Sequence, residues 1–414
     1  MFHDRRPLTL YGMGSPPSCP FPVLNASISR MLQPARGGPI AARAGAASPR
    51  GTDVRTWHTH EPVVAGVSVS VSGPLRRQGQ DAYDGIRLWV DHVVSAGGRL
   101  RLVALDDVSS ASRARANVTR LLTEERVDLL LGPYGSGSTL AVAHLAAAHG
   151  KILWNHGGAS DAVIAVGSAG VVSVLSPASD YLRDLPRLAR HRTGAQRVVI
   201  LYAERGTFAS SVRRGVEEGA RTAGFDRVRA VAFDTPIHDA KAFLDAALAD
   251  SPDLLVVAGR FEDDAAIIRE RRMLETVGTV ACVAAGAEAF HRELGVLAEG
   301  VIGPSQWEPH LYERPSIGPP SAWFGSEFQR VFQRDPGYVA AQAYAMGLIV
   351  GECMRRADSL EDRALLAAAR ELDTTTLYGG FRLDPGTLRQ VGHKILLVEW
   401  RDGRKHPLPP TGIA

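Results

Sequence analysis

From Pro62 onward, short apolar runs alternate with segments whose apolar residues recur every three or four positions. Residues 63–71 (VVAGVSVSV) are β-branched and alternating, which predicts a strand. Tyr83, Ile86, Val90 and Val93 then recur at helical spacing over 80–95 and stop at Gly97-Gly98. A strand over 100–105, a helix over 111–125, a strand over 127–131, a helix over 140–149 and a strand over 152–154 follow. The alternation restarts after 176–186. Strands are predicted at 197–202, 228–233, 253–257 and 280–284, with helices at 208–222, 239–248 and 262–274 between them. Strict strand–helix alternation predicts parallel sheets covered on both faces, so the chain reads as two α/β lobes of similar layout. A Pro- and Gly-rich loop over 303–320, two helices near 339–356 and 360–371, and hairpin-like strands from Thr374 complete the pattern.

Composition narrows the function classes. The chain of 414 residues is 45% hydrophobic and 22% charged, with a formal net charge of +3. That is a globular balance, and it argues against a nucleic-acid binder working by bulk phosphate attraction. The charge is uneven. Residues 1–60 carry seven arginines against Asp4 and Asp53, together with eight of the 25 prolines, and show no period. They are expected to form a disordered tail, because so little apolar surface cannot offset chain entropy. Cys19, Cys282 and Cys353 are too few and too scattered for a disulfide framework or a zinc site. Ser15-Pro16-Pro17-Ser18 before Cys19 is no lipidation signal. No apolar run is long enough to cross a membrane, and no signal-like run follows the basic start. No catalytic nucleophile–base pattern, metal motif or cofactor fingerprint is visible, so no enzyme activity and no cofactor are expected.

In open parallel sheets ligands bind beyond the carboxyl ends of strands, so the loops there hold the candidate chemistry. Gly132-Pro133-Tyr134-Gly135-Ser136-Gly137-Ser138-Thr139 nearly matches a phosphate loop, but Ser138 stands where the lysine belongs. What remains is a hydroxyl-rich helix N-terminus fit for one carboxylate. Equally, Ser138 or Thr139 serves only as an N-cap. Asn155-His156-Gly157-Gly158-Ala159-Ser160 follows the next strand, where Ser160 is a ligand contact or a helix cap. The run Glu262-Asp263-Asp264 starts right after a strand of the second lobe. It either meets an ammonium group or complements the helix dipole. Trp307, in an irregular segment, either packs in a core or stacks on a ligand.

Several segments in order carry a resemblance to a known family. They are Ser72-Gly73-Pro74-Leu75, Gly97-Gly98 before a strand ending in Asp106-Asp107, Leu131-Gly132-Pro133 with its Ser/Thr cluster, and Gly157-Gly158-Ala159-Ser160. Near the end stand Ala340-Ala341-Gln342-Ala343-Tyr344, Thr375-Thr376-Leu377-Tyr378-Gly379-Gly380-Phe381 and Gly392-His393 leading to Glu399-Trp400-Arg401-Asp402-Gly403. From about Val63 to Pro407 the chain resembles the type I periplasmic binding proteins, in the leucine/isoleucine/valine-binding branch. The resemblance implies two Rossmann-like lobes with parallel sheets, joined by a three-strand hinge and closing on a small molecule. The expected division is 61–176 plus 287–372 for the first lobe and 177–286 plus 373–414 for the second. The implied ligand is an amino acid or related amide. Ser136, Ser138, Thr139, Ala159 and Ser160 would hold its carboxylate, with Ser72 and Tyr134 beside them. Phe208 and Phe261 would be aromatic walls, Glu262 or Asp264 the ammonium acceptor, and Trp307 the cap of the side-chain pocket. The implied partner is the membrane permease of an ATP-driven importer, in a periplasmic or extracytoplasmic setting, without nucleic acid or direct membrane insertion. Without a readable signal, a cytoplasmic ligand sensor of the same fold is the alternative.

Overall fold

The computed structural model describes residues 61–166 and 170–409. The expected tail, with Cys19 and the His58-Thr59-His60 triplet, lies outside the described residues.

The first lobe begins with β1 (Val63–Val69), α1 (Arg76–Ser95), β2 (Leu100–Asp106), α2 (Ala111–Thr123), β3 (Leu129–Leu131), α3 (Ser136–Ala148), β4 (Leu153–Asn155), α4 (Asp161–Ala165) and β5 (Val171–Ser173). Its strands form a five-stranded sheet ordered β2-β1-β3-β4-β5, every pairing parallel. The second lobe holds α5 (Leu185–Thr193), β6 (Arg197–Ala203), α6 (Thr207–Thr222), β7 (Arg227–Phe233), α7 (Ala240–Leu248), β8 (Leu254–Ala258), α8 (Phe261–Arg269), β9 (Thr279–Cys282), α9 (Glu288–Leu294) and β10 (Ile302–Ser305). The chain then forms α10 (Ser321–Phe332), α11 (Tyr338–Ala357) and α12 (Asp362–Glu371). It ends with the hairpin β11 (Asp373–Thr376) and β12 (Gly379–Arg382), followed by β13 (Leu396–Arg401) and β14 (Arg404–Pro407). The second sheet has seven strands ordered β14-β13-β10-β9-β8-β6-β7, with β13 and β14 antiparallel at its edge.

Central parallel strands are apolar throughout because helices cover both faces. All five residues of β8, Leu-Leu-Val-Val-Ala, are buried, and so is Cys282 at the end of β9. Helix α11 packs along α1, with Trp89, Phe324 and Tyr344 fully buried there. Among the described residues no helix is long and apolar enough to cross a membrane.

The expected return to the first lobe at residue 287 falls later. β10 pairs with β9 and β13, so the chain stays with the second sheet through Ser305. Pro304 and Gly303 disguised that strand as loop. Its pairing with β9 is confined to Ile302 opposite Ala281, so Pro304 owes no donor to that neighbour. Helix α10 also falls where the sequence pattern predicted none.

Three segments link the lobes: 174–184, 306–320 and 383–395. They meet in a buried polar knot. The Ser176 hydroxyl lies 2.8 Å from Nδ1 of His393, and Nε2 of the same ring lies 3.0 Å from the Gln306 carbonyl oxygen. Tyr378, in the β11–β12 turn, stacks flat on His393 at 4.3 Å. Its hydroxyl reaches the side-chain oxygens of Gln306 (2.9 Å) and Gln342 (3.0 Å). Gln390 donates to the Val174 carbonyl at 3.2 Å, and Arg389 pairs with both oxygens of Asp180 at 2.7 and 2.8 Å.

Candidate functional site

The loop after β3 enters α3 through Gly135, whose φ of 95° suits glycine. Gly135 is the N-cap and offers no side chain, so the reading of Ser138 or Thr139 as the cap gives way. The first intrahelical bond runs from the Thr139 amide to the Gly135 carbonyl at 3.0 Å, which leaves the amides of residues 136–138 without helical acceptors. The Ser136 hydroxyl accepts from the Ser160 amide at 3.0 Å. The Thr139 hydroxyl turns inward to the Pro133 and Gly135 carbonyls, at 3.1 and 3.0 Å. Ser138 is buried at 5% exposure in the same turn.

The loop after β4 is shaped by Asn155, whose side-chain oxygen accepts from the amides of Gly157 (3.1 Å) and Gly158 (2.7 Å). It presents Ser160 as the residue before α4, though no side-chain cap bond forms. Instead the Ser160 hydroxyl accepts from Thr207 at 2.9 Å, and the Asp161 amide donates to Ser211 at 3.1 Å. Both partners lie on α6, so this first-lobe loop is held by the second lobe. Ala159 is tied by its carbonyl to the Ala178 amide of the first linking segment, at 2.7 Å.

Aromatic rings of α6, the first linking segment, the loop after β3 and the start of α11 stand near this point. Phe208, in the first turn of α6, meets Tyr181 edge to face at 5.5 Å. The Tyr181 hydroxyl bonds Gln306, and the Tyr134 hydroxyl bonds Tyr338 at the start of α11. Burial pushes the phenols of Tyr134, Tyr181, Tyr338 and Tyr378 above their ordinary range, so all four are neutral near pH 7. Ser136, Ser160, Tyr134 and Phe208 are thus brought to one junction.

Other candidates are engaged elsewhere. Ser72 donates to Asp106 at 2.6 Å. Phe261 lies under the Arg77 guanidinium of α1, 4.9 Å from ring to charge, and Arg77 also reaches Glu293 of α9 at 3.7 Å. Trp307, expected as a cap, is buried instead. Its indole N–H donates to the Leu377 carbonyl (3.0 Å) and Ser321 (3.2 Å), and its ring packs edge-on to Phe324 at 5.8 Å. Of the two acids offered for an ammonium group, Asp264 accepts backbone amides, Gly259 at 2.8 Å and Ala284 at 2.9 Å. Glu262 is exposed in the first turn of α8. Neighbouring Asp263 is held by Thr235 (2.6 Å), Ile237 (2.9 Å) and Arg260 (3.1 Å).

The junction residues that pattern reading missed are Tyr181, Thr207, Gln306, Tyr338 and Tyr378. Tyr378 sat inside a segment whose order was legible, and Gln306 in a stretch expected to be loop, but nothing local marked their side chains as partners.

Burial pushes Asp264 from its ordinary 3.8 to about 8, outweighing the amides of Ala284, Gly259 and Val283 that favour its charged form. A folded pKa above the unfolded one gives stability that is full below about pH 4 and is lost as pH rises to 8. Asp264→Asn is therefore expected to flatten the fall in urea midpoint between pH 5 and pH 8. An unchanged slope in the variant would remove Asp264 as its source.

The family model described as Periplasmic binding protein matches residues 62–405. Among solved structures, a leucine-binding protein of Thermotoga maritima superposes with a TM-score of 0.74 at 19% identity, covering 84% of this chain and 98% of that one. A branched-chain amino acid transporter substrate-binding protein of Streptococcus pneumoniae, in complex with isoleucine, gives 0.72 at 18%, covering 83% and 98%. An ABC transporter solute-binding protein of R. palustris, in complex with benzoate, gives 0.71 at 17%, covering 84% and 95%. At these identities the likeness concerns the fold, two parallel-sheet lobes of type I.

Proposed function

The chain belongs to the periplasmic binding protein family, and from that premise we propose that it is the solute-binding component of an ABC-type importer. It holds a small solute between its lobes and passes it to a membrane permease, which sets it outside the cytoplasmic membrane. One observation carries the reading. The Ser160–Asp161 loop of the first lobe is bonded to Thr207 and Ser211 of the second, beside the α3 amides and the ring of Phe208. Lobe closure therefore builds one compartment from both halves. Helix amides and the Ser138 hydroxyl supply donors for a carboxylate or an amide oxygen, and the neutral phenols supply a dry wall.

An amino acid or a related amide, the solute the sequence points to, fits the donor end of this compartment. So does any other small carboxylate, as the differing ligands of the isoleucine and benzoate complexes illustrate. The test is a melting-temperature titration of the full chain with a panel of amino acids, amides and small organic acids. A bound solute at about 100 times its Kd adds about 2.7 kcal/mol of stability. No shift with any solute would sink the reading.

A further inference from the structure

Resting on the reading of the two lobes as a clamp, we infer that Arg77 on α1 is an electrostatic latch that biases the lobes toward the closed arrangement before any solute binds. Three observations lead there.

The first is where Arg77 makes its contacts. Its guanidinium lies 4.9 Å from the centre of the Phe261 ring, in the first turn of α8, and 3.7 Å from Glu293 on α9. Arg77 belongs to the first lobe and both of these partners to the second. Its neighbours on α1 behave differently, since Asp81 and Asp84 are bonded to Arg334 of their own lobe at 2.5 and 2.7 Å. A contact made across the cleft does little for the fold of either lobe and exists only while they are together.

The second is that the receiving side is preorganised. Arg269 of α8 holds Glu293 at 2.8 Å, so the carboxylate is in place without Arg77. Arg292, next to it, carries a charge that reaches Asp81 of α1. Arg77 and Asp81 stand one turn apart on α1, on the same face. A plus–minus pair on the first lobe therefore meets a minus–plus pair on the second, and complementary charge of this kind fixes the docking register.

The third is position. β3 lies between β1 and β4 in the first sheet, and β8 between β9 and β6 in the second. The loop after β4 meets α6, the helix after β6, through Ser160–Thr207 and Asp161–Ser211. Arg77, in the helix after β1, meets the helices after β8 and β9. The two interlobe contacts therefore flank the loop after β3. One consists mainly of neutral hydroxyl bonds and is tied to the first linking segment through Ala159. The other sets charge against charge and charge against ring. The Arg77 side chain is 56% exposed, so water and salt compete with this contact and let it open. A threefold shift in a two-state lobe equilibrium takes about 0.7 kcal/mol, which an exposed ion pair and a cation–π contact together can supply.

The experiment is double electron–electron resonance on the full chain without solute. Ala116→Cys on α2 and Ala246→Cys on α7 give one exposed label site per lobe. The background is Cys19→Ser, with Cys282 and Cys353 buried. The readout is the population at the interlabel distance that this structure gives. Arg77→Ala, with its melting temperature preserved, is expected to lower that population relative to open forms about threefold at about 20 mM NaCl, and about 0.5 M NaCl is expected to do the same to the parent. In Arg77→Ala most of the salt response should disappear, the Asp161–Arg214 pair at 3.5 Å keeping the rest. Arg76→Ala removes the same charge from the preceding exposed position and should leave the population unchanged. An Arg77→Ala population equal to the parent's, a parent indifferent to salt, an equal loss in Arg76→Ala, or a parent without that population at low salt would each overturn the inference. No solute enters the experiment, so a melting shift with any member of the solute panel would still leave the solute-binding reading standing.

Discussion

Gly215→Ala is expected to lower folding stability by about 3 kcal/mol, the upper end of the cost of overpacking a filled interior. A Cβ at position 215 would stand 1.8 Å from the Ser179 carbonyl oxygen, and one turn later a Cβ at Gly219 would stand 1.9 Å from that of Arg183. Both obstacles are backbone, so no side chain can swing away. Helix α6 must retreat from the first linking segment, and its first turns carry Thr207 and Ser211 with it. The loss in urea unfolding should thus be joined by weaker solute binding. Gly325→Ala is the control. It lies within α10 with nothing within 4 Å of its would-be Cβ, so helix propensity alone should make it neutral or stabilising by up to about 1 kcal/mol. A Gly215→Ala variant within about 0.5 kcal/mol of the parent would show that this contact is not tight.

His393→Leu is the second large effect, expected at about 2–4 kcal/mol, because a buried polar knot is cut at its centre. A carbonyl can only accept, so Nε2 carries the proton donated to Gln306 and Nδ1 is left to accept from Ser176. Leucine fills the volume but leaves the Gln306 carbonyl and the Ser176 hydroxyl without that partner, and removes the ring stacked on Tyr378. Burial lowers the His393 pKa from 6.5 to about 4, so the ring is neutral in the folded protein. With the folded pKa depressed, the histidine's contribution is full above pH 6.5 and is lost as pH falls to about 4. His156 is lowered to about 4 by the same cause. The acid-side fall in stability should therefore be reduced in the variant, not abolished. Urea midpoints at pH 7 and pH 5 measure both effects. An unchanged midpoint at pH 7, or an unchanged fall between the two, would remove His393 from this role.

Much of the fold was legible because its cause is local. A strand covered on both faces must be apolar at every position, as β8 is, and a covering helix must show an apolar stripe. Elements became illegible where local signals conflicted. β10 carries Gly303 and Pro304 in a sheet interior, and α10 follows a Pro-rich stretch that masked its amphipathic turn pattern. The candidate site was legible by loop and not by atom. Ser136, Ser138 and Ser160 were found as a hydroxyl cluster at helix starts, and the structure brings Ser136 and Ser160 into direct contact. Trp307 and Asp264 looked equally available and are not. The first is consumed by Leu377, 70 residues away, and the second by Ala284, 20 residues away.

Sequence alone therefore determined the two-lobed α/β layout, the lack of a membrane-length apolar run, and the loops where donors collect. These follow from periodicity and residue type, which act over a few positions. Tertiary structure alone decided which donors and acids remain free. Ser176 meets His393 across 217 residues, and Ile152 meets Asp362 across 210. A side chain's availability depends on what the fold sets against it. In a water-poor interior an unmatched polar group is costly, so each pairing made far along the chain removes one candidate from the site.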